Sequence, residues 1–199
     1  MIVRLPGPRT LTLVSAMAAL ALAGCGSDEE GTTTEDLAAS APAATSFPSA
    51  KGRTLDELAA DEAQLTNEIV VAPAGQVYTT GRNELGFGVF TVAQEQITDA
   101  ELAIYAAPGP DGEAIGPFPA AIESLLTEPE FEAQTTSDDP DSARVVYRTG
   151  IDFDQPGEWR LLGMIRDGDR LLATRIPSAI VDDYASIPEE GEMAPPCTP

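Results

Sequence analysis

Glu158–Ile176, EWRLLGMIRDGDRLLATRI, carries the clearest structural signal in the chain. Trp159, Leu161, Gly163 and Ile165 fall on one face of an extended segment, and Arg160, Leu162, Met164 and Arg166 fall on the other. This is the two-residue period of a β-strand. Asp167 and Gly168 give a tight-turn signal, and Leu171 to Ile176 returns as the second half of a hairpin. Further upstream the same alternation recurs. Arg144 to Thr149 turns Val145 and Tyr147 inward and Arg144, Val146 and Arg148 outward, while Glu101 to Ala107 sends Leu102 and Ile104 one way and Ala103 and Tyr105 the other. Leu85, Phe87 and Val89 alternate with Gly86, Gly88 and Phe90, so Phe90 interrupts a bare glycine surface. Ile69 to Val71 is a short strand cut off by Pro73. Pro108 to Pro119, rich in proline and glycine, is expected to be a loop, and Ala121 to Thr127 one or two helical turns stopped by Pro129. Six or seven short strands between Asn67 and Asp182 predict an all-β, antiparallel β-sandwich with a short helix in one connection.

Composition narrows the chemistry. The formal charge is −22, with 33 acidic against 11 basic residues and no histidine. Such a surface repels phosphate backbones, so nucleic acid is excluded as a partner. Without imidazole the usual catalytic base, zinc ligand and neutral-pH switch are missing, and carboxylates are the only plentiful general bases. Lys51 is the sole lysine, and the two cysteines, Cys25 and Cys197, do not form a disulfide framework.

The amino terminus reads as a targeting segment. Arg4 and Arg9 precede a mostly apolar run from Leu11 to Ala23, too short for a final membrane span of about 20 residues. Leu22, Ala23, Gly24 and Cys25 follow, and they resemble the lipobox of bacterial lipoproteins. The resemblance implies cleavage before Cys25, a diacylglycerol thioether on its sulfur, and attachment to the extracytoplasmic face of the cell membrane. Loss of Arg4 and Arg9 with the leader would take the side-chain charge from −22 to −24. The expected organisation is therefore a signal peptide at 1–24, then a lipidated cysteine, disordered tether and short helix at 25–66. The sandwich would occupy 67–182 and a Pro/Glu-rich tail or linker 183–199. Within the second segment, Gly26 to about Ala50 has little to bury and is expected to be the tether. Thr54 to Gln64, with Leu55, Leu58 and then Leu65 at helical spacing, is expected to form a brief amphipathic helix, and Thr54 with Glu57 resembles a capping box.

Three stretches carry a second resemblance: Gly81–Thr91 (GRNELGFGVFT), Gly116–Leu126 (GPFPAAIESLL) with Phe131, and Val146–Gly168 (VYRTGIDFDQPGEWRLLGMIRDG), ahead of Gly191–Pro199 (GEMAPPCTP). From about Leu65 to Pro199 the chain resembles the amino-terminal module of actinobacterial extracytoplasmic proteins that continue into a thioredoxin-like domain. The resemblance implies an immunoglobulin-like shape, although the usual cysteine pair is absent. The redox cysteines of that family are absent too, and thiol exchange needs a thiolate and a resolving thiol. Cys197 matches no family cysteine.

Carboxylates at Asp152 and Asp154, and at Asp138, Asp139 and Asp141, are hard-oxygen candidates for calcium but lack the loop spacing of a dedicated site. Met164 and Met193 alone do not make a soft copper site. Trp159 and Tyr147 suit a core better than a ligand groove, and Arg144, Arg148, Arg160 and Arg166 are expected to balance nearby acids. No cofactor, metal or enzymatic activity is expected. The expectation is a membrane-anchored lipoprotein carrying a noncatalytic binding or positioning module for an extracytoplasmic protein partner. The alternative is the amino-terminal portion of an envelope thiol-disulfide redox protein whose thioredoxin-like domain lies elsewhere.

Overall fold

The computed structural model describes residues 37–128, 130–134 and 142–184, with Gly191 and Met193. Within them the fold is mostly β, with two sheets and one short α-helix. The first sheet comprises β2 (Ile69–Pro73), β4 (Gly81–Thr91), β8 (Val145–Phe153) and β7 (Ala121–Ser124), in that spatial order and wholly antiparallel. The second runs β1 (Gln64–Leu65), β10 (Arg170–Val181), β9 (Gly157–Asp167), β5 (Glu101–Pro108) and β6 (Ile115–Pro119), with β3 (Val77–Tyr78) also on β10. Both β1 and β3 pair with β10 in parallel, which corrects the wholly antiparallel expectation. The reason is a chain that crosses between sheets: it leaves β10 after β1, joins the first sheet as β2, and returns to β10 as β3.

The alternation expected from the sequence places the core. Leu85, Phe87 and Val89 from β4, with Val145, Tyr147, Ile151 and Phe153 from β8, meet Leu102 and Ile104 from β5 and Trp159, Leu161 and Ile165 from β9 in one buried cluster. The two sheets thus share apolar inner faces, a sandwich-like architecture. Phe153 lies against Trp159 with ring centroids 5.0 Å apart. The β9–β10 hairpin turns through Gly168 at φ 59°, a conformation that costs glycine nothing.

The second sheet buries its other face as well. Ala103, Tyr105 and Ala107 of β5, Leu162 and Met164 of β9 and Ala173 of β10 form a separate cluster with Phe47, Ala50, Leu55, Leu58 and Ala59. The last three belong to the helix, α1 (Leu55–Glu62), which carries the capping box expected at Thr54 and Glu57. The Thr54 side chain accepts from the Glu57 N–H, and the Glu57 carboxylate accepts from the Thr54 N–H. An eight-residue helix is marginal in isolation, and complete burial of Leu58, at about 1.5–3 kcal/mol, ties it to the sheet.

Three expectations need correction. The tether was expected to reach about Ala50, but from Leu37 onward the chain is laid on the fold as a strap. Ala39 exchanges backbone hydrogen bonds with Ile122, and Phe47 and Ala50 are buried. Phe47 packs into the helix-side cluster beneath Arg166, and the strap's carbonyls add hydrogen bonds: Tyr105 donates its hydroxyl to the Pro48 oxygen and Arg166 donates to Ser46, while Arg53 donates locally to Ser49. The hydrogen bonds from Tyr105 and Arg166 ask nothing of the strap's side chains. The expected helical turns at Ala121–Thr127 are instead strand β7 followed by irregular chain, because pairing with β8 overrides local helix propensity. The short helix therefore lies ahead of the sheets and not in that connection. Finally, the expected loop at Pro108–Pro119 contains β6, an edge strand where proline need not donate to the ladder.

Candidate functional site

The lipid-attachment candidate Cys25 lies outside the described residues, as do Cys197, Asp138, Asp139 and Asp141. Asp152 stands on the outward face of β8, opposite Arg82 in register. Among the described residues no group of three or more Asp, Glu, His or Cys side chains is placed to hold a metal ion. Met164 is fully buried in the helix-side cluster and Met193 is almost wholly exposed. Of the arginines, Arg148 bridges Glu84 (3.0 Å) and Glu123, and Arg166 pairs with Glu101 at 3.2 Å. Hydrogen bonding to Glu123 raises the pKa of Arg148 above its ordinary value. Arg160 pairs with Asp56 at 3.7 Å.

The buried polar groups are engaged in architecture. Tyr147 accepts from the Ala100 N–H at 2.9 Å and donates to the Ile97 carbonyl at 2.9 Å, pinning the β4–β5 connection. The Gln96 side-chain amide takes the place of a strand beside β8: its oxygen accepts from the N–H groups of Arg144 and Val145, and its nitrogen donates to the Val145 carbonyl. Trp159 donates to the Gln155 carbonyl. Burial pushes Tyr78, Tyr105 and Tyr147 above the ordinary tyrosine value. A raised folded-state pKa holds the proton more tightly in the fold, so the associated stability is complete below about pH 10 and is lost as pH rises through the folded values. A titration followed by tyrosinate absorbance and circular dichroism is expected to show ionisation of these rings together with loss of structure above that pH. Full ionisation with the fold unchanged would contradict their burial.

One apolar surface lies open to solvent beside β2 and the end of β4. On the outer face of the first sheet, Val70, Phe90, Thr91, Val92 and Gln94 line an open depression of about 500 Å³. Val70 is 45% and Val92 65% exposed. Val70 lies opposite Phe90 in register. The Phe90 ring folds back over Gly88 and fills the space a Cβ there would need, while Gly86 faces Val146 and Ala74, so the glycine surface anticipated in the sequence is occupied in part by this strand's own aromatic. Glu68 and Glu95, both exposed, flank the depression through backbone hydrogen bonds to Val92 and Thr91. Val70 and Val92 escaped the sequence reading. The signal that could have found Val70 is an apolar side chain on the outward register of a strand whose inward register is already full, whereas Val92 lies in the turn just past β4, where alternation carries no such signal.

No family model matches the sequence, and no curated protein matches it.

Proposed function

We propose that the protein is a lipoprotein held at the extracytoplasmic face of the cell membrane through Cys25, and that its folded part is a noncatalytic, immunoglobulin-like module that binds a protein partner. The leader and the Leu22–Cys25 sequence support the anchor. Strand order supports the immunoglobulin-like reading: β2–β4–β8–β7 facing β10–β9–β5–β6 follows the ABED and GFCC′ arrangement of that fold. Carbon side chains fill the inner positions of β4 and β9, where antibody domains place a disulfide.

The observation that carries the binding role is the depression at Val70, Phe90 and Val92. Apolar surface left open on a strongly acidic molecule fits a partner that brings an apolar side chain flanked by Lys or Arg.

Replacing Cys25 by Ser is expected to move the protein from the membrane to the soluble fraction, with the wild-type amino-terminal peptide carrying lipid mass. Unchanged membrane association and an unlipidated wild-type peptide would reject the anchor. For the binding face, a photo-crosslinking residue at Val92 in the anchored protein is expected to give a discrete protein adduct that Val70→Glu abolishes. Equal labelling from a crosslinker at Asp169, in the β9–β10 turn, would reject it.

A further inference from the structure

A second cleft, of about 230 Å³, lies where the first turn of α1 meets β9 and β10, and Leu55, Asp56, Arg160, Leu162, Arg175 and Pro177 form much of its lining. Its shape comes from a bulge: between the pairs Ile176–Leu161 and Ala179–Trp159, Pro177 and Ser178 together stand opposite Arg160 alone. A bulge of this kind bends the strand and re-aims the neighbouring side chains. Arg160 and Arg175 both turn toward Asp56, at 3.7 and 2.9 Å. Asp56 meets both guanidinium groups as an ion pair, and the only hydrogen-bond acceptor of either one among the described residues is the Pro110 carbonyl, 3.5 Å from Arg160 Nη1.

Each guanidinium carries five N–H donors in a planar fork suited to carboxylate. Two of them converging on one aspartate leave most of that donor capacity unspent and a local charge of about +1 on a molecule of formal charge −22. We propose that this cleft binds an organic carboxylate, with the carboxylate gripped between Arg160 and Arg175 and a short apolar group lying against Leu55, Leu162 and Pro177. Asp56 acts there as the internal competitor, occupying part of the fork that the ligand takes. The volume admits a carboxylate with a few carbons and falls below the usual range of about 300–1,000 Å³ for larger ligands. The carboxylate can be that of a free small acid or of a peptide carboxyl terminus.

The test is a titration of the soluble Cys25→Ser protein, followed by the arginine Nε–H resonances. The probes are butyrate, its neutral amide, and a blocked Ala-Val dipeptide with a free or an amidated carboxyl terminus. Butyrate is expected to shift the Arg160 and Arg175 signals saturably and butyramide to leave them in place. Tighter binding of the free dipeptide than of butyrate assigns the peptide source, and the reverse order assigns the small acid. Arg175→Gln is expected to weaken binding by about tenfold. Asp56→Asn, which removes the competitor, is expected to strengthen it by about fivefold. The second variant changes an exposed side chain outside both apolar clusters and keeps the test independent of any folding loss in the first. Absence of a saturable shift in both wild type and Asp56→Asn, equal response to butyramide, or binding indifferent to Arg175→Gln would each overturn the proposal.

Discussion

Trp159→Ala is expected to destabilise the protein by about 3–5 kcal/mol, the cost of truncating a large aromatic in a packed core. Trp159 is 2% exposed, packs at a tilt against Phe153 and donates its indole N–H to Gln155, so the substitution opens a cavity and leaves the Gln155 carbonyl without that donor. Domains of this size have a total stability of about 5–15 kcal/mol, so the loss is a large share of the whole. Thermal unfolding should shift down by roughly 10–20 °C. Arg170→Ala, which removes only an exposed ion pair with Asp167, is expected to stay within about 0.5 kcal/mol of the parent. Indistinguishable melting of the two variants would mean that the inter-sheet core is not packed as described.

A soluble chain that begins at Asn67 is expected to associate and to bind an apolar dye strongly, whereas one that begins at Gly26 should do neither. The shorter chain lacks Phe47, Ala50, Leu55, Leu58 and Ala59, the lid over Ala103, Tyr105, Leu162, Met164 and Ala173. Both faces of the β5–β9–β10 surface are apolar, so removing that lid exposes a contiguous patch of a kind that monomeric proteins rarely leave open. Light scattering and dye fluorescence at matched concentration would check this. A monomeric, dye-free fragment would show that strap and helix contribute little to the fold.

That second expectation departs from the sequence reading, and the reason is physical. The strands were legible because period-two alternation reports directly on burial: Phe87, Tyr147, Leu161 and Ile165 all sit where the pattern put them. On β5 the alternation was equally visible, but it could not say that the Ala103 and Tyr105 face would be covered too. Ahead of α1 the cover is mostly Ala, Pro, Ser and Thr with Phe47 as its one large buried side chain, and the backbone carbonyls that help to hold it leave no trace in side-chain composition. Composition therefore resembled a free tether where the chain docks. The edge strands β6 and β7 escaped for a related reason. Their pairing is set by neighbours distant in sequence, Ile104 for Phe118 and Tyr147 for Ile122. Of the candidate surfaces, Phe90 is visible in the sequence as an interruption of the glycine face. The Arg160–Asp56–Arg175 cleft is not, since only folding brings α1 beside the bulge in β10.

The strap also sets a length scale. With the lipid on Cys25 as proposed, a leash running freely to Asn67 could extend by at most about 140 Å, enough to explore a thick zone beyond the bilayer. With the chain docked from Leu37, the contour between Cys25 and Leu37 is at most about 40 Å. Under the proposed anchor, a partner is expected to present its contact surface within a shell little deeper than a protein diameter above the lipid.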